Sequence, residues 1–541
     1  MALRGRSFFV LLSILVVCCA LGGIYGSKVS VAAAATNSPE GLSSTEQNFT
    51  KVYALVEQNF ATRVDADKAI YKGAIPGMLR TLDPHSNFFD PKEYQALRDD
   101  QRGHYYGVGM LVGTRNGKTM VMAPFPGSPA YRAGLRPGDI IAFVNDKPTD
   151  NMNSTEIADL LKGPRGTPVK IGVIREGTAQ PISFTVIRDE VKRPSVQDAF
   201  WVKPGIAYMK INSFGETTSR EMEDNFKRLG ENNIKGLVLD LRDNPGGLLN
   251  EGVAVADHFL QKGQTIVSHR GRSSPEKPYV ARVGNHGRDY PIVALVNRFT
   301  ASAAEIVSGA LQDHDRGWIL GETTFGKGLV QTVYPLSENT GLALTTAHFY
   351  TPSGRLIQRD YSNRSFYDYY FHKDDNARNP LDVKMTDSGR TVYGGGGITP
   401  DEKYEPPALD AFETQLSRKS AFFNFTRHYF ATHDTNLPKG WMPDETTLTE
   451  FHDYLVKEGY DFQESQFTLD RDWMKRGLAI EMYITAFNKD ESDRVMAQTD
   501  PEVERAVEAM PKARALVETA KKIVAQRMAN HGSQSASLAR Q

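Results

Sequence analysis

The chain has almost no cysteine. Its 541 residues include only Cys18 and Cys19, and both lie inside the first apolar run. A cysteine nucleophile, cysteine-ligated zinc and a disulfide framework are therefore excluded for the remainder. There is also no HExxH motif, and the 12 histidines show no ligand spacing, so we expect no metal and no other cofactor.

Net charge is nearly absent too. The 64 basic and 65 acidic residues leave a formal charge of −1, so no global field attracts nucleic acid and we expect no nucleic-acid partner. The glycine-rich stretches contain neither a GKS/T phosphate loop nor a dinucleotide GxGxxG. Hydrophobic residues make up 40% of a chain long enough for two to four domains with their own cores.

The N-terminus is typical of an export signal. Arg4 and Arg6 precede an apolar run from Phe8 to about Ile24, and small residues that suit a cleavage site follow at 29–36. The run is long for a signal peptide and slightly short for a membrane span, so cleavage and retention as a membrane anchor are both open. Either outcome places the chain in the periplasm or on the outer face of the inner membrane.

Hydrophobic periodicity divides the chain into regions that differ in predicted secondary structure. We predict a multidomain α+β protein, with a layered α/β core preceded by a β-rich domain and flanked by helical segments. The predicted divisions are a signal peptide or anchor (1–36), a helical N-terminal segment (37–100), a β-rich domain (101–190), the α/β core (191–405), and a helical extension with a disordered tail from 530 (406–541).

Three apolar runs in the α/β region predict strands, at 206–211, 236–241 and 291–297. The last two are continuously apolar, as expected of parallel strands that are buried on both faces. The segment 301–313 then predicts a helix. In the β-rich region we predict one helix, Ser154–Leu161, with its first residue as the N-cap.

Ser302 lies in RFTASAAEI (298–306), where the third strand meets the following helix. Its hydroxyl would be exposed at the carboxyl end of that strand, where α/β folds place their sites. The amide of Ala303, at the helix N-terminus, can donate to an oxyanion. Taken alone, Ser302 would more commonly be a simple helix N-cap.

Lys327 lies between two glycines in FGKGLVQ (325–331). A lysine activates a serine only if its pKa falls from about 10.4 toward neutrality, and burial among apolar groups has that effect. Gln331 can hydrogen-bond the amine without adding charge, whereas a carboxylate there would hold the proton on the lysine. Taken alone, Lys327 would be a solvated loop residue; together with Ser302 it suggests a Ser–Lys hydrolase.

A third segment, DLRDNPGG (240–247), follows a predicted buried strand. Its paired glycines, Gly246 and Gly247, can expose backbone amides as a second oxyanion donor. The plain alternative is an ordinary strand-to-helix turn.

These three segments, in this order, resemble the carboxy-terminal processing peptidases, also called tail-specific proteases. The resemblance implies that Ser302 is the nucleophile, Lys327 the general base and Gln331 the support of the lysine. It also implies an oxyanion hole made by the backbone amides of Ala303 and Gly246.

The β-rich region looks like a PDZ domain, on the segments YYGVG (105–109) and GSPAYRAGLRPGDIIAFVND (127–146). In the family, the first segment would bind a free C-terminal carboxylate through backbone amides, while the peptide pairs with a sheet edge. The partners implied are therefore polypeptides with exposed C-termini. The loop residues are Tyr106, Gly107, Val108 and Gly109.

Two further likenesses are less complete. Family members can use an arginine near an RGxxG turn to couple the PDZ position to activity. Here Lys162 occupies that place and Arg165 is nearby. A lysine cannot make an arginine's forked contacts.

LDPHSNFF (82–89) resembles the family's N-terminal segment, which often supports dimerisation, so a homo-oligomer is one expected state. The likeness ends at 394–401 and implies no role for the extension.

We therefore predict an exported serine endopeptidase that recognises protein C-termini through a PDZ domain and cleaves through an acyl-enzyme. A PDZ-bearing, non-catalytic adaptor of the cell envelope is the main alternative. An esterase or amidase would share the chemistry, although the PDZ-like module favours a polypeptide substrate. A Ser–His mechanism is a further alternative, and its candidate histidines are His85, His258, His314 and His348.

Overall fold

The computed structural model describes residues 44–115, 117–178, 180–362, 364–371 and 379–538. The signal or anchor predicted at 1–36 lies outside the described residues. The chain divides between Gly77 and Met78 into two compact units. Of the helices that the structure describes, none combines the length and apolar character needed to cross a membrane.

The first unit is helical. It contains α1 (Ser44–Asn59), α2 (Ala66–Ala69) and a π-helical turn (Ile70–Ala74), and α3 (Ile75–Arg80) begins at its end. The helical spacing of Phe49, Val52 and Val56 predicts α1 correctly, yet α1 buries none of its residues.

The second unit starts with a short strand and a helix and continues into a β-rich region. A five-membered path of strands runs in the order β3-β4-β5-β7-β8, with β6 on β5, while β2 pairs with β9. β3 is therefore an edge strand, and α6 packs beside it. The elements are β1 (Asn87–Phe89), α4 (Pro91–Arg102), β2 (His104–Gly107), β3 (Met110–Arg115), β4 (Lys118–Pro124), α5 (Pro129–Ala133), β5 (Ile140–Val144), β6 (Lys147–Pro148), α6 (Ser154–Leu161), β7 (Pro168–Ile174), β8 (Ile182–Ile187) and β9 (Asp189–Lys192).

The predicted helix Ser154–Leu161 is present, but its N-cap is the preceding residue. The Asn153 side chain accepts from the Glu156 amide at 3.0 Å, and the Glu156 carboxylate accepts from the Asn153 amide at 2.8 Å. This reciprocal pair is a capping box, and an amide oxygen serves in it as well as a serine hydroxyl.

A central sheet with the order β10-β11-β12-β15-β16-β21 forms the α/β region. The first pair is antiparallel, and every other pair is parallel. The three predicted strands are β11, β12 and β15, and the predicted helix is α9. The elements are β10 (Val196–Lys203), β11 (Ile206–Ile211), α7 (Thr218–Leu229), β12 (Gly236–Asp240), α8 (Leu249–Asp257), β15 (Ile292–Val296), α9 (Ala303–Asp313), β16 (Trp318–Gly321) and β21 (Glu402–Lys403).

Both faces of the central sheet are buried. Successive residues of β12 point to opposite faces, so Leu237 and Leu239 join one core with α7, α8 and α9. Val238 joins a second core that combines residues of the sheet, such as Val293 and Leu320, with residues of the C-terminal extension, including Val503 and Ala506. The extension thus supplies one of the two layers that cover the sheet.

A second sheet has the order β1-β18-β13-β14, with β17 paired to β18. It carries Lys327 and Gln331 at or near the start of β17. The remaining elements of this region are β13 (Thr265–Gly271), β14 (Ser274–Val280), β17 (Leu329–Pro335), β18 (Gly341–Tyr350), α10 (Phe366–Phe371), β19 (Asn379–Met385) and β20 (Thr391–Gly394).

The C-terminal extension is helical, as predicted, and contains a core of its own rich in aromatic residues. Helix α18 continues to Leu538, although the sequence predicted disorder from 530. Its helices are α11 (Ala411–Arg418), α12 (Ala421–Thr432), α13 (Glu445–Lys457), α14 (Glu464–Leu469), α15 (Arg471–Ala486), α16 (Lys489–Gln498), α17 (Pro501–Glu508) and α18 (Met510–Leu538). The mixed α and β fold class with helical flanking segments is thereby confirmed.

Candidate active site

Ser302 stands between β15 and α9 in a strained backbone conformation. Its φ of 55° and ψ of −116° lie in a region that non-glycine residues rarely adopt, at a cost on the order of 1–3 kcal/mol. The surrounding turn supports it, because the preceding Ala301 amide donates to the Asn244 carbonyl at 2.9 Å. A side chain held in such a conformation at the end of a buried strand is typical of functional sites.

A buried carboxylate, Glu305, joins two parts of the chain. One is the segment around Ser302 (298–306), and the other is the lysine loop, which runs from the end of β16 to Lys327 (321–327). Its Oε2 accepts from the amides of Ser302 and Lys327, each at 2.8 Å. The two amide nitrogens therefore lie within twice that distance of each other. Oε1 accepts from the Gly326 amide at 2.7 Å and from the Thr324 hydroxyl at 2.6 Å. The structure thus brings the backbones of Ser302 and Lys327 together through one side chain.

All four neighbours of Glu305 donate. Thr324 Oγ1 itself accepts from the Ile398 amide at 2.7 Å, so its own proton points to the carboxylate. Burial raises the pKa of Glu305 above its ordinary value, and the four hydrogen bonds oppose that rise. Because a protonated carboxyl would face only donors, the ionised form fits this arrangement.

The side chain of Lys327 is largely buried. Burial lowers the pKa of its ammonium below the ordinary value, and the negative charges of Glu305 and Asp83 act in the opposite direction. Burial is the larger effect, so the neutral amine is more accessible here than in a solvated lysine. That is the electrostatic condition for a lysine general base.

The wall beside Lys327 comes from the segment 82–89 and from α10. His85 Nε2 lies 2.8 Å from the Tyr369 hydroxyl, and His85 Nδ1 lies 3.2 Å from the Tyr370 hydroxyl. Burial, together with the positive charge of Lys327, lowers the pKa of His85 to about 3, so this imidazole is neutral. Burial alone would raise the pKa of Asp83, but hydrogen bonds from Ser86 and from backbone amides hold it below its ordinary value.

Gln331 lies on β17, four residues beyond Lys327. Its amide nitrogen donates to Thr345 Oγ1 on β18 at 3.4 Å. Within the described part of the chain, Lys327 Nζ makes no hydrogen bond to Gln331. The supporting role of Gln331 therefore stays a prediction.

The two predicted oxyanion donors differ in availability. The Ala303 amide, in the first turn of α9, has no hydrogen-bond partner among the described residues. The Gly246 amide instead donates to Asn244 Oδ1 at 2.8 Å, which argues against its predicted role. The next amide, that of Gly247, has no partner among those residues.

Gly246 nevertheless packs directly against the segment that carries Ser302, the predicted nucleophile. A Cβ placed on it would lie 2.6 Å from Ser302 Cβ and 2.9 Å from the Ala303 nitrogen. Only glycine fits there, so the turn that carries both glycines lies directly against Ser302. Gly247 is therefore a better second donor than Gly246.

The predicted carboxylate-binding loop lies between β2 and β3. Its carbonyls are tied to its own domain: Val108 O accepts from the Ala130 amide at 2.8 Å, and Gly109 O accepts from Ser128 Oγ at 2.6 Å. The amides of Val108 and Gly109 have no partner in the described part of the chain. Gly107 ends β2, and Tyr106, on the same strand, is partly exposed. The loop opens beside the edge strand β3 and α6.

Neither candidate switch residue reaches the Ser302 region. Lys162 ends α6, with its Nζ 5.8 Å from the ring centre of Tyr105. Arg165 Nε donates to Asp189 Oδ1 at 2.8 Å. Both contacts are made within the β-rich region. Neither residue is therefore identified as the one that couples the PDZ position to activity.

Comparison with known proteins decides the family. Residues 205–362 match Peptidase family S41, and residues 120–175 match the PDZ domain. A carboxy-terminal-processing protease from Bartonella bacilliformis is 38% identical over 328 residues, which are 60% of this chain and 75% of the relative. The chain belongs to the carboxy-terminal processing protease family. It is a serine-type peptidase that carries a PDZ domain.

Two further relatives are similar. The carboxy-terminal processing protease CtpB from Bacillus subtilis is 32% identical over 312 residues, covering 57% of this chain and 65% of the relative. Among solved structures, a photosystem II D1 C-terminal processing protease is 26% identical and covers 69% of this chain and 95% of that chain, with a TM-score of 0.35.

Two of the four histidines proposed for a Ser–His mechanism are held by partners away from Ser302. His258 Nε2 lies 2.9 Å from Ser219 Oγ, and His314 bridges the Asp387 carboxylate and the Thr265 carbonyl, each at 2.7 Å. His348 lies in β18 opposite Leu329. His85 is near Lys327, but a base with a pKa of about 3 has little capacity to accept a serine proton.

Sequence reasoning missed Glu305, Asp83 and Asn244. Glu305 stands three residues after Ser302, which is the spacing of a capping box and was the one available signal. Asn244 lies inside the motif already selected, but its side-chain contact depends on the turn geometry. Asp83 is more than 200 residues from Lys327 in the chain, so no local pattern could connect them.

Proposed function

We propose that this protease is an exported endopeptidase that recognises protein C-termini and cleaves with Ser302 and Lys327. The observation that carries the proposal is the Glu305 carboxylate, which accepts from the amides of both residues while Lys327 remains largely buried. This arrangement supports an activated serine next to a lysine that can be neutral.

In the first half-reaction, Ser302 Oγ attacks the scissile carbonyl carbon while neutral Lys327 accepts the hydroxyl proton. The resulting oxyanion is held by the free amides of Ala303 and Gly247, the first of which also lies at the N-terminus of α9. The tetrahedral intermediate collapses, the peptide C–N bond breaks, and Lys327 gives its proton to the leaving amine. An ester between Ser302 and the substrate acyl group remains.

In the second half-reaction, water replaces the departed amine. Lys327 takes a proton from that water as it attacks the ester carbonyl, and the same two amides hold the new oxyanion. Collapse expels Ser302 Oγ, which regains its proton from Lys327, and the carboxylic acid product leaves. Gln331 would orient the amine if the start of β17 shifts when substrate binds.

Recognition of the C-terminus would occur in the PDZ domain. The free amides of Val108 and Gly109 support carboxylate binding, and the edge strand β3 can extend its sheet with the substrate backbone. The natural test is a pair of unfolded substrates that differ only in a free or an amidated C-terminus. Faster cleavage of the free acid supports the proposal, whereas equal rates would contradict C-terminal recognition.

Export rests on Arg4, Arg6 and the apolar run that follows them. Cell fractionation tests it: the chain is expected in the periplasm or attached to the inner membrane, and a cytoplasmic location would contradict it. The exposed apolar face of α1 supports a homo-oligomer, which light scattering of the purified full chain can test.

A further inference from the structure

The last layer of the C-terminal extension reaches the turn beside the nucleophile. Helix α17 packs against β12 and β15, and α18 packs against β15 and β16. The residue before α17, Asp500, and the second residue of the helix, Glu502, lie near the carboxyl ends of these strands. The chain segments that carry the oxyanion donors and Lys327 leave the sheet at the same edge.

Both acidic residues bind Arg242, in the DLRDNPGG segment. Arg242 Nη1 lies 2.8 Å from Asp500 Oδ2 and 2.7 Å from Glu502 Oε2. On its other side the guanidinium holds Asp240, with Nη2 2.6 Å from Oδ2. The Arg242 side chain is only 14% exposed, so these are well-formed contacts in a poorly hydrated place.

From Arg242 the turn runs directly to the oxyanion donors. The Asp243 amide donates to Asn297 Oδ1 at 3.0 Å, which ties the turn to the end of β15. Asn244 holds the Gly246 amide, and its own Nδ2 donates to the Ile211 carbonyl at 2.7 Å. Arg242 and Gly246 belong to one turn that these hydrogen bonds hold in place, so a displacement of Arg242 would pass along the chain to Gly246 and Gly247.

Glu502 also touches the start of the lysine loop. A Cβ placed on Gly321, the last residue of β16, would lie 3.0 Å from Glu502 Oε1. The loop from Gly321 leads to Thr324 and Lys327, which Glu305 holds. One carboxylate of the extension thus borders both chain segments that build the site.

The cluster carries more negative than positive charge. Three carboxylates surround Arg242, and Asp243 and Glu322 line the cavity that Arg242 shares with Asp500 and Glu502. Other titratable side chains beside them are Tyr208 and Lys210, which act on Asp240, and Tyr404, which lies near Asp500, Glu502 and Arg476. Burial, with the charges of Asp500 and Asp240, raises the pKa of Glu502 to about 7. A single proton on Glu502 leaves an acceptor oxygen for Arg242.

We propose that Asp500 and Glu502 are positioning residues for catalysis: by holding Arg242, the extension fixes the turn that presents the Gly247 amide to the oxyanion. This inference rests on the Ser302–Lys327 function proposed above. It assigns the extension a part in setting kcat, beyond covering the sheet.

The test compares full-length wild type with Glu502→Ala, Glu502→Gln and Arg505→Ala. Arg505 is the matched control, because it joins the extension to Glu402, with Nε 2.7 Å from Oε1, without touching either catalytic segment. Each protein is assayed for kcat and KM on an unfolded protein substrate, for melting temperature, and for inhibition by a peptidyl boronic acid. The tetrahedral adduct of that inhibitor on Ser302 presents an oxygen to the oxyanion donors.

We expect Glu502→Ala to lower kcat at least tenfold, with KM within twofold of wild type and inhibitor affinity reduced by a similar factor. Glu502→Gln should recover most of that loss, since its amide oxygen can accept from Arg242. A folded Glu502→Ala with wild-type kcat would overturn the proposal, as would an equal loss of kcat in Arg505→Ala.

If Glu502→Ala does not fold, Asp500→Ala carries the test. It removes the other carboxylate that binds Arg242 Nη1, so we expect a severalfold lower kcat with KM unchanged; a folded variant with unchanged kcat would overturn the proposal. Ser302→Ala tests the proposed Ser302–Lys327 function separately from the role of Glu502. If it is as active as wild type, the proposed function fails irrespective of the Glu502 results.

Discussion

Glu305 is a carboxylate near the proposed general base, Lys327, and it has a role that its charge alone does not suggest. A lone carboxylate beside Lys327 would keep the lysine protonated. Here the negative charge is shared among four donors from both catalytic segments, and burial of the amine outweighs the remaining attraction. Glu305 can therefore position Ser302 and Lys327 without keeping Lys327 protonated.

Glu305→Gln is expected to separate position from charge. The amide NH2 would face donors on one side, leaving a buried donor pair unsatisfied at a cost of about 1–3 kcal/mol. A shift of the Lys327 loop by about 1 Å would lower kcat by about 100-fold. Thermal unfolding and steady-state kinetics of the same preparation measure both effects. A folded variant with unchanged kcat would show that Glu305 does not align the site.

The pH dependence of the reaction should report the pKa of Lys327. Burial lowers this pKa below 10.5, and only the neutral amine can accept the serine proton. The value of kcat/KM should therefore increase as pH rises through the pKa of Lys327, with a midpoint below 10.5. It should decrease at lower pH, where Lys327 is protonated. A pH profile measured with a substrate that lacks titratable groups checks this. A rate that decreases as pH rises through that midpoint would contradict a lysine base.

Among the elements, the strand ends and the helix after them were readable from sequence. Continuous apolar runs identified β12 and β15, and small residues identified α9, so the location of Ser302 followed from local pattern. The donor at the second oxyanion position did not follow. The choice between Gly246 and Gly247 depends on which amide the Asn244 side chain occupies, and a sequence motif does not specify that contact.

The loop between β2 and β3 requires a glycine at position 109, and this requirement can be tested. Its φ is 75°, and a Cβ would lie 2.5 Å from Ser128 Cβ, so Gly109→Ala must distort the loop. We expect at least a tenfold loss of affinity for a peptide with a free C-terminus, measured by calorimetry. Gly117→Ala is the control, because Gly117 has a φ of 72° and nothing within 4 Å of its Cβ position. Equal affinities of the two variants would place peptide binding elsewhere.

For the whole molecule, the extension is a structural layer of the protease. Sequence pattern predicted its helices but gave no sign that Val503, Ala506 and Ala513 bury one face of the central sheet. Helical periodicity shows that a helix has an apolar face; it does not show which surface that face covers. The pairing of α17 and α18 with β12, β15 and β16 joins segments more than 150 residues apart, so only the folded chain reveals it.

A charge placed in this layer should unfold the core. Val503 is 1% exposed, so Val503→Asp buries an unpaired carboxylate, and we expect a loss of roughly 3 kcal/mol or more in the free energy of unfolding. Val456→Asp is the matched control, because Val456 is 58% exposed on α13. Thermal unfolding of both variants measures the difference. If Val503→Asp melted like its control, the extension would be a separable appendage.

The central claim is that Ser302 and Lys327 cleave polypeptides selected by their free C-termini. The most direct measurement incubates wild type, Ser302→Ala and Lys327→Ala with one unfolded protein whose C-terminus is either free or amidated. The account predicts that only wild type cleaves it, with each variant at least about 10⁴-fold slower, and that amidation slows wild type. Equal cleavage by all three proteins would contradict it.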